Sequence, residues 1–226
     1  MWSRPKPPLP RDFYDRDVVA VARDLIGRVL VRAAPAGLTA GRIVEAEAYL
    51  AADDTASHSH RGPTRRNASM FGPPGHAYVY AIHSRWCVNV VTEPAGRGSA
   101  VLLRAVEPLV GLELMDERRT LRLRRRRRAR QGSGARQVKR GCPPVVIPAR
   151  EIARGPARLC EAFDIDRRLD GCDLTLGELL WISADDRVVE PAEIRSTPRV
   201  GVMSAADLPL RFVLVDNPFV SRPRLR

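Results

Sequence analysis

Residues 41–50 read GRIVEAEAYL, with acidic and aromatic side chains alternating against small apolar ones. Such alternation commits the centre of the chain to a β-strand, because successive side chains on a strand point to opposite faces. Glu45, Glu47 and Tyr49 then share one face, and Val44, Ala46 and Ala48 share the other. An acid beside an aromatic ring can hold a flat substrate next to a general base, an arrangement suited to chemistry on a nucleobase. Asp53-Asp54 and His58-Ser59-His60 follow at once, in a stretch rich in Asp, Ser, His, Gly and Pro that reads as a long loop over residues 51–75.

The flanking pattern predicts the remaining elements. Asp17 caps a helix over residues 17–27 that Gly27 stops, with Val18, Ala22, Leu25 and Ile26 on its apolar side. Strands are expected over residues 28–32, 42–50, 76–82, 86–92 and 99–106, with Gly96-Arg97-Gly98 turning between the last two. Pro108 is expected to open a helix to about Arg119, followed by an inserted loop over 119–150. Gly155-Pro156 introduces a short helix over 157–163, and short strands are expected over 179–183, 199–203 and 210–215. Strands in hairpin order with helices set apart indicate an α+β fold. With 226 residues, one domain is the expected organisation, with residues 1–11 as a flexible tail.

Charge is distributed unevenly. The chain has 38 basic and 26 acidic residues, yet residues 118–140 hold 12 of the bases and no acid, leaving 26 bases against 26 acids elsewhere. The block reads as a disordered basic insert that attracts polyphosphate and makes binding salt-dependent. Lys6 and Lys139 are the two lysines. Schiff-base chemistry, which needs a desolvated lysine, therefore has little material to work with. Cys87, Cys142, Cys160 and Cys172 form no C-x-x-C pair, so they read as reduced thiols rather than zinc or iron–sulfur ligands. The absence of a membrane-length apolar run and of a signal-peptide pattern gives a cytoplasmic, nucleoid-associated expectation.

Several residues carry both a functional and a plain structural reading. Glu47 is either a base that activates water or a carboxylate paired with one of the 36 arginines. Glu45 is its structural counterpart or, with Glu47, Asp53 and Asp54, part of a metal site, although the spacing follows no standard ligand pattern. His58 and His60 lie in a loop where a lone histidine is commonly solvated. Tyr78 and Tyr80 share a strand face and form either core or a stacking platform. Asn89 and Arg104 are polar residues within apolar strands, which demand buried partners. Gly155-Pro156-Ala157-Arg158 opens a helix whose N–H groups can hold a phosphate, a weak signal taken alone.

Taken together these motifs resemble the alkyladenine (3-methyladenine) DNA glycosylase family. The resemblance rests on residues 41–49, His58-Ser59, Thr64-Arg65-Arg66-Asn67 with Met70-Phe71, and Ala77-Tyr78-Val79-Tyr80. It continues through residues 87–91, 101–108 and 155–160 to Arg199-Val200-Gly201-Val202 and Pro209-Leu210-Arg211-Phe212, in order from about residue 12 to residue 222. It implies a single domain with a curved, mostly antiparallel sheet flanked by helices. The implied enzyme acts on double-stranded DNA containing a damaged purine, without a metal or organic cofactor, as a monomer by default. Glu47 would deprotonate the attacking water, and Arg104 would hold that water and the carboxylate. Tyr49 and Tyr80 would sandwich the flipped base, His58 would contact it and Asn89 would obstruct a guanine amino group. Gly155 and Arg158, at the start of the short helix, would grip the DNA backbone.

Two features depart from the family pattern. The segment Ala81-Ile82-His83-Ser84-Arg85-Trp86 is one residue shorter than expected, which makes Ile82 or His83 the candidate wedge into the duplex. The arginine-rich insert is the second. A noncatalytic nucleic-acid-binding protein and a metal-dependent nuclease are the alternative readings.

Overall fold

The computed structural model describes residues 6–131 and 146–221. Helices α1 (Arg11–Tyr14) and α2 (Val18–Asp24) lead into strands β1 (Val29–Ala34) and β2 (Gly37–Tyr49). Strands β3 (Ala77–Ile82), β4 (Arg85–Thr92) and β5 (Ser99–Val110) follow the long loop. Helices α3 (Leu112–Gln131), α4 (Ala149–Ile152) and α5 (Pro156–Ala162) come next, then strands β6 (Leu180–Ser183), β7 (Ile194–Thr197) and β8 (Arg211–Leu214). The strands form one antiparallel sheet in the order β3-β4-β5-β2-β1-β6, with β8 joined to β2 and β7 to β8. This is the α+β architecture expected from the hairpin order of the strands, with the single domain and curved antiparallel sheet that the resemblance implied.

β2 is the organising strand. Its β5 edge is paired from Ala40 to Tyr49, while its other edge serves β1 up to Arg42 and then β8 at Glu45–Glu47. The β2–β5 register shifts at three places, at Ala40/Gly41 and on either side of Glu45. Such bulges bend a strand and increase its twist, which lets the sheet curl. Val44, Ala46 and Ala48 are fully buried in the main core with Leu25, Leu103, Leu159 and Phe163. Glu45 and Glu47 are also fully buried, on the opposite face. The core thus fixes which way the two carboxylates point.

Most predicted elements fall where the pattern put them. Asp17 caps α2, its carboxylate accepting from Val19 and Ala20 N–H at 3.0 and 2.9 Å. Gly27 follows at φ +89°, where an added Cβ would lie 2.5 Å from Val189 Cγ2.

Four expectations need correction. Pro108 does not open a helix: it pairs with Gly41 inside β5, next to a β2–β5 register shift where a proline lacking an N–H is tolerated. The helix starts at Leu112, after Gly111 at φ +77°, and runs to Gln131 rather than ending near Arg119. Arginine is a good helix former, and Arg119 and Arg126 are both anchored on Glu161 of α5. Residues 132–145 of the predicted insert lie outside the described residues. The expected strand at 199–203 is an irregular bend, because Arg199 and Val200 bond to side chains of β2 and its following loop instead of a ladder. Finally, within the tail read as flexible, Leu9 is buried, its N–H donates to Ile182 O at 2.7 Å, and Arg11 ion-pairs with Asp173.

Candidate active site

The polar face of β2 carries a buried network. Arg104, from β5, donates through Nε to Glu45 Oε1 at 2.8 Å and through Nη1 to Glu47 Oε2 at 3.1 Å. Glu45 also accepts from Arg211 Nε at 2.8 Å and from the backbone N–H and hydroxyl of Ser221 at 2.7 and 2.8 Å. Burial by itself would raise the Glu45 carboxyl, and the Arg104 and Arg211 guanidiniums more than offset it, leaving its pKa below the ordinary value. Four donors engage Glu45, three of them at Oε1, so it acts as the anchor of Arg104.

Glu47 is held differently. Its Oε1 accepts from Val200 N–H at 2.7 Å, and its Oε2 accepts from Arg104 and from the Tyr49 hydroxyl, each at 3.1 Å. A carboxylate has about four lone-pair directions, so this one keeps capacity for a further proton donor. Burial, reinforced by the Glu47 charge, raises the Tyr49 phenol well above its ordinary range and keeps it a neutral donor. The alternation read from the sequence therefore holds, with Glu45, Glu47 and Tyr49 on one face.

Tyr49, Arg104 and Val200, the three groups that hold Glu47, all line one pocket of about 690 Å³. His58, Tyr78, Tyr80, Asn89 and Ile82 line it too, with Cys87 and Met203. Tyr78 and Tyr80 stack with centroids 5.2 Å apart and planes 28° from parallel. The His58 ring sits edge-on to Tyr80 at 4.3 Å, and its Nδ1 is 2.8 Å from the Tyr78 hydroxyl. Although the residue as a whole is exposed, packing its ring against these tyrosines lowers the imidazole pKa and favours the neutral form. Asn89 is buried and donates one amide N–H to Tyr78 O at 3.0 Å, which fixes its position. Burial pushes the Cys87 thiol up to about 11, leaving it a neutral wall group.

Ile82 lines the pocket, and His83 follows it in the turn. β3 and β4 are joined by His83 and Ser84, both at positive φ (47° and 62°), with Ile82 paired to Arg85. Positive φ at both central residues is the backbone of a tight hairpin turn, here made without glycine. Ile82 is 44% exposed at this tip, and Met203, 91% exposed, also lines the pocket.

Gly155 and Arg158 line an adjoining cleft of about 1390 Å³ together with Arg85, Arg154 and Glu151. Gly155 needs its φ of +108°, which puts Pro156 at the first turn of α5. Arg158 is ion-paired with Glu151, which also binds Arg154 at 2.6 Å. Arg104, Pro156 and residues 200–203 line both spaces.

The sequence reading missed several supports. Asp54, entertained as a metal ligand, is buried and grips Arg199 through two bonds of 2.7 and 2.8 Å, while also capping the N–H groups of Leu50 and Ala56. Asn67 is buried and ties the long loop together, donating to His58 O at 2.8 Å and Gly62 O at 3.1 Å. Arg211 showed the same signal as Arg104, a charge within an apolar strand, and could have been found by it. Among the described residues no group of three His, Cys, Asp or Glu side chains is disposed to hold a metal ion, and no helix is long and apolar enough to cross a membrane.

The residues that hold Glu47 thus form part of the wall of an aromatic pocket. The family pattern described as Methylpurine-DNA glycosylase (MPG) matches residues 12–218. This chain belongs to that family. Among curated relatives provisionally named 3-methyladenine DNA glycosylase, one from Koribacter versatilis is 42% identical over 222 residues, 96% of this chain and 94% of its own. One from Methanoculleus marisnigri is 46% identical over 216 residues, covering 95% and 98% of the two chains. One from Streptomyces avermitilis is 43% identical over 219 residues, covering 95% and 91%.

Proposed function

We propose that this DNA glycosylase excises alkylated purines of the 3-methyladenine type, extending to hypoxanthine and ethenoadenine, by hydrolysis with a water activated by Glu47. The observation that carries the reading is the setting of Glu47. It is a buried carboxylate fixed by three donors, each from a residue that lines an aromatic pocket.

The base leaves the stack, enters between Tyr49 and Tyr80, and meets the neutral His58 at the edge. Flipping costs a few kcal/mol, least for a damaged base, and stacking at about 1–3 kcal/mol per base recovers part of it. Asn89, held from behind by Tyr78 O, presents a fixed wall against the exocyclic amino group of guanine. Glu47 takes a proton from water as the oxygen attacks the sugar C1′, and the N-glycosidic electron pair departs with the purine. 3-Methyladenine is already cationic in the nucleoside, so for that lesion the site needs a base and a shaped pocket more than a strong acid. Arg104 keeps the carboxylate aimed. Ile82 or His83, at the hairpin tip, fills the gap in the duplex, while Gly155 and Arg158 sit where the cleft would meet the backbone.

No lysine is among the pocket residues, and Lys6 is partly exposed and paired with Asp186, which supports a reaction without a lyase step. A metal-dependent nuclease is disfavoured because two of its four candidate carboxylates, Glu45 and Asp54, are saturated by guanidinium groups. Incubation with a duplex containing 3-methyladenine or 1,N6-ethenoadenine in EDTA separates the readings. Release of free base is expected. Strand cleavage that needs Mg²⁺ would instead indicate a nuclease, and binding with neither product would indicate a binding protein.

A further inference from the structure

Arg199 has no part in the reaction outlined above, yet its placement is highly specific. It is 5% exposed. Its guanidinium carbon stands 4.6 Å from the centroid of the Tyr49 ring, over its face. Asp54 holds it by two bonds, and Nη1 also donates to Ala48 O at 3.1 Å. Burial alone would lower its pKa, and Asp54 more than offsets this, so the group stays charged. The next residue, Val200, supplies the N–H that fixes Glu47. Arg199 lines the outer cleft and not the base pocket, whereas Tyr49 lines the pocket. The guanidinium and a base in the pocket therefore reach the Tyr49 ring from different sides.

We propose that Arg199 is a positioning and specificity residue, whose Asp54-held charge behind Tyr49 sets how well the ring receives a cationic base relative to a neutral one. A cation is drawn to the negative face of an aromatic ring. With one face already serving Arg199, the ring has less to offer a second cation on the other side, and the two positive charges repel across it. A neutral base such as hypoxanthine escapes this competition. The arrangement moderates capture of methylated purinium bases and leaves room for neutral lesions. The Asp54 carboxylate limits the effect by partly neutralising the guanidinium.

This inference rests on the proposed excision reaction and on Tyr49 meeting the base. Single-turnover excision of 3-methyladenine (cationic in the nucleoside) and of hypoxanthine from the same duplex tests it, each rate corrected for uncatalysed loss. Arg199→Gln is expected to raise the cationic-to-neutral rate ratio by about fivefold, within the range a cation over an aromatic face commands. Arg199→Lys, which keeps the charge, should hold the ratio near the unmodified value even where both rates fall. Asp54→Asn should move the ratio the opposite way, because the guanidinium loses its counter-charge while one of the two loop N–H groups keeps its acceptor. Equal losses for both lesions in Arg199→Gln, with the ratio unmoved, would reduce Arg199 to a structural clamp and overturn the proposal. Should that variant fail to fold, Asp54→Asn decides: a lowered ratio supports the proposal, and an unchanged or raised one overturns it. If the unmodified protein excises neither lesion, the proposed function itself fails, which is a separate result.

Discussion

Glu45 and Glu47 lie two residues apart on one face of β2, and their partners set them to different tasks. Glu45 is closed off by Arg104, Arg211 and Ser221 and serves as a buried anchor. Glu47 keeps a lone-pair direction and shares its donors with the pocket wall. Because the folded Glu45 carboxyl lies below its ordinary value of 4.5, the unfolded chain takes up a proton first as pH falls. Its contribution is complete above that ordinary value and is lost as pH drops through the folded pKa. Urea unfolding from pH 7 to pH 3 should show this acid loss, and Glu45→Gln should flatten that limb. The variant should also lose about 3–5 kcal/mol near neutrality, the usual cost of removing one partner from a buried ion pair. An unchanged acid limb would show that Glu45 carries no such role. The alternation exposed both carboxylates in the sequence but could not tell them apart. The difference comes from Arg211 and Ser221, distant in sequence and brought in by β8 and the chain beyond it.

Among the elements, the β3–β4 hairpin and α3 mark the limits of sequence reading. Strand positions were legible because two-residue alternation survives in a single segment, as for β2, β3 and β4. The part of α3 beyond Arg119 was not, since a run of arginines has no apolar stripe and reads as a solvated charge block. What makes it a helix is tertiary: Arg119 and Arg126 converge on Glu161, and Arg118 donates to Ala162 O at the end of α5. The irregular path at 199–203 was equally hidden, because side-chain and backbone bonds to Asp54 and Glu47 replace ladder pairing there. For the hairpin, the structure puts an exposed apolar side chain, Ile82, beside a tight turn at the pocket mouth. Replacing Ile82 or His83 with alanine should weaken binding to lesion-containing duplex and slow excision by about tenfold for the true wedge, near 1.4 kcal/mol of stacking. Unchanged binding and excision in both variants would remove the wedge from this hairpin.

For the whole molecule, charge and catalysis are predicted to be separable. Three of the arginines in α3 are engaged with α5, while Arg122, Arg124, Arg125 and Arg127 are exposed with no carboxylate partner within 4 Å among the described residues. Like charges three and four residues apart repel along a helix, by about 0.2–0.5 kcal/mol per pair, so a polyanion beside it is welcome. Replacing these four with glutamine should lower affinity for undamaged duplex and reduce the salt slope by up to about 0.9 for each phosphate that is no longer neutralised. The rate of base release from saturated enzyme should stay the same. An unaltered affinity and slope would mean that α3 does not meet DNA. The alternating strand, the arginine network and the aromatic pocket converge on Glu47. Single-turnover release of free base from a 3-methyladenine duplex, measured beside duplex affinity for the unmodified protein and Glu47→Gln, tests its role most directly. The expected result is that release is abolished while affinity changes by less than about threefold, under 1 kcal/mol. Sustained base release by Glu47→Gln would contradict it.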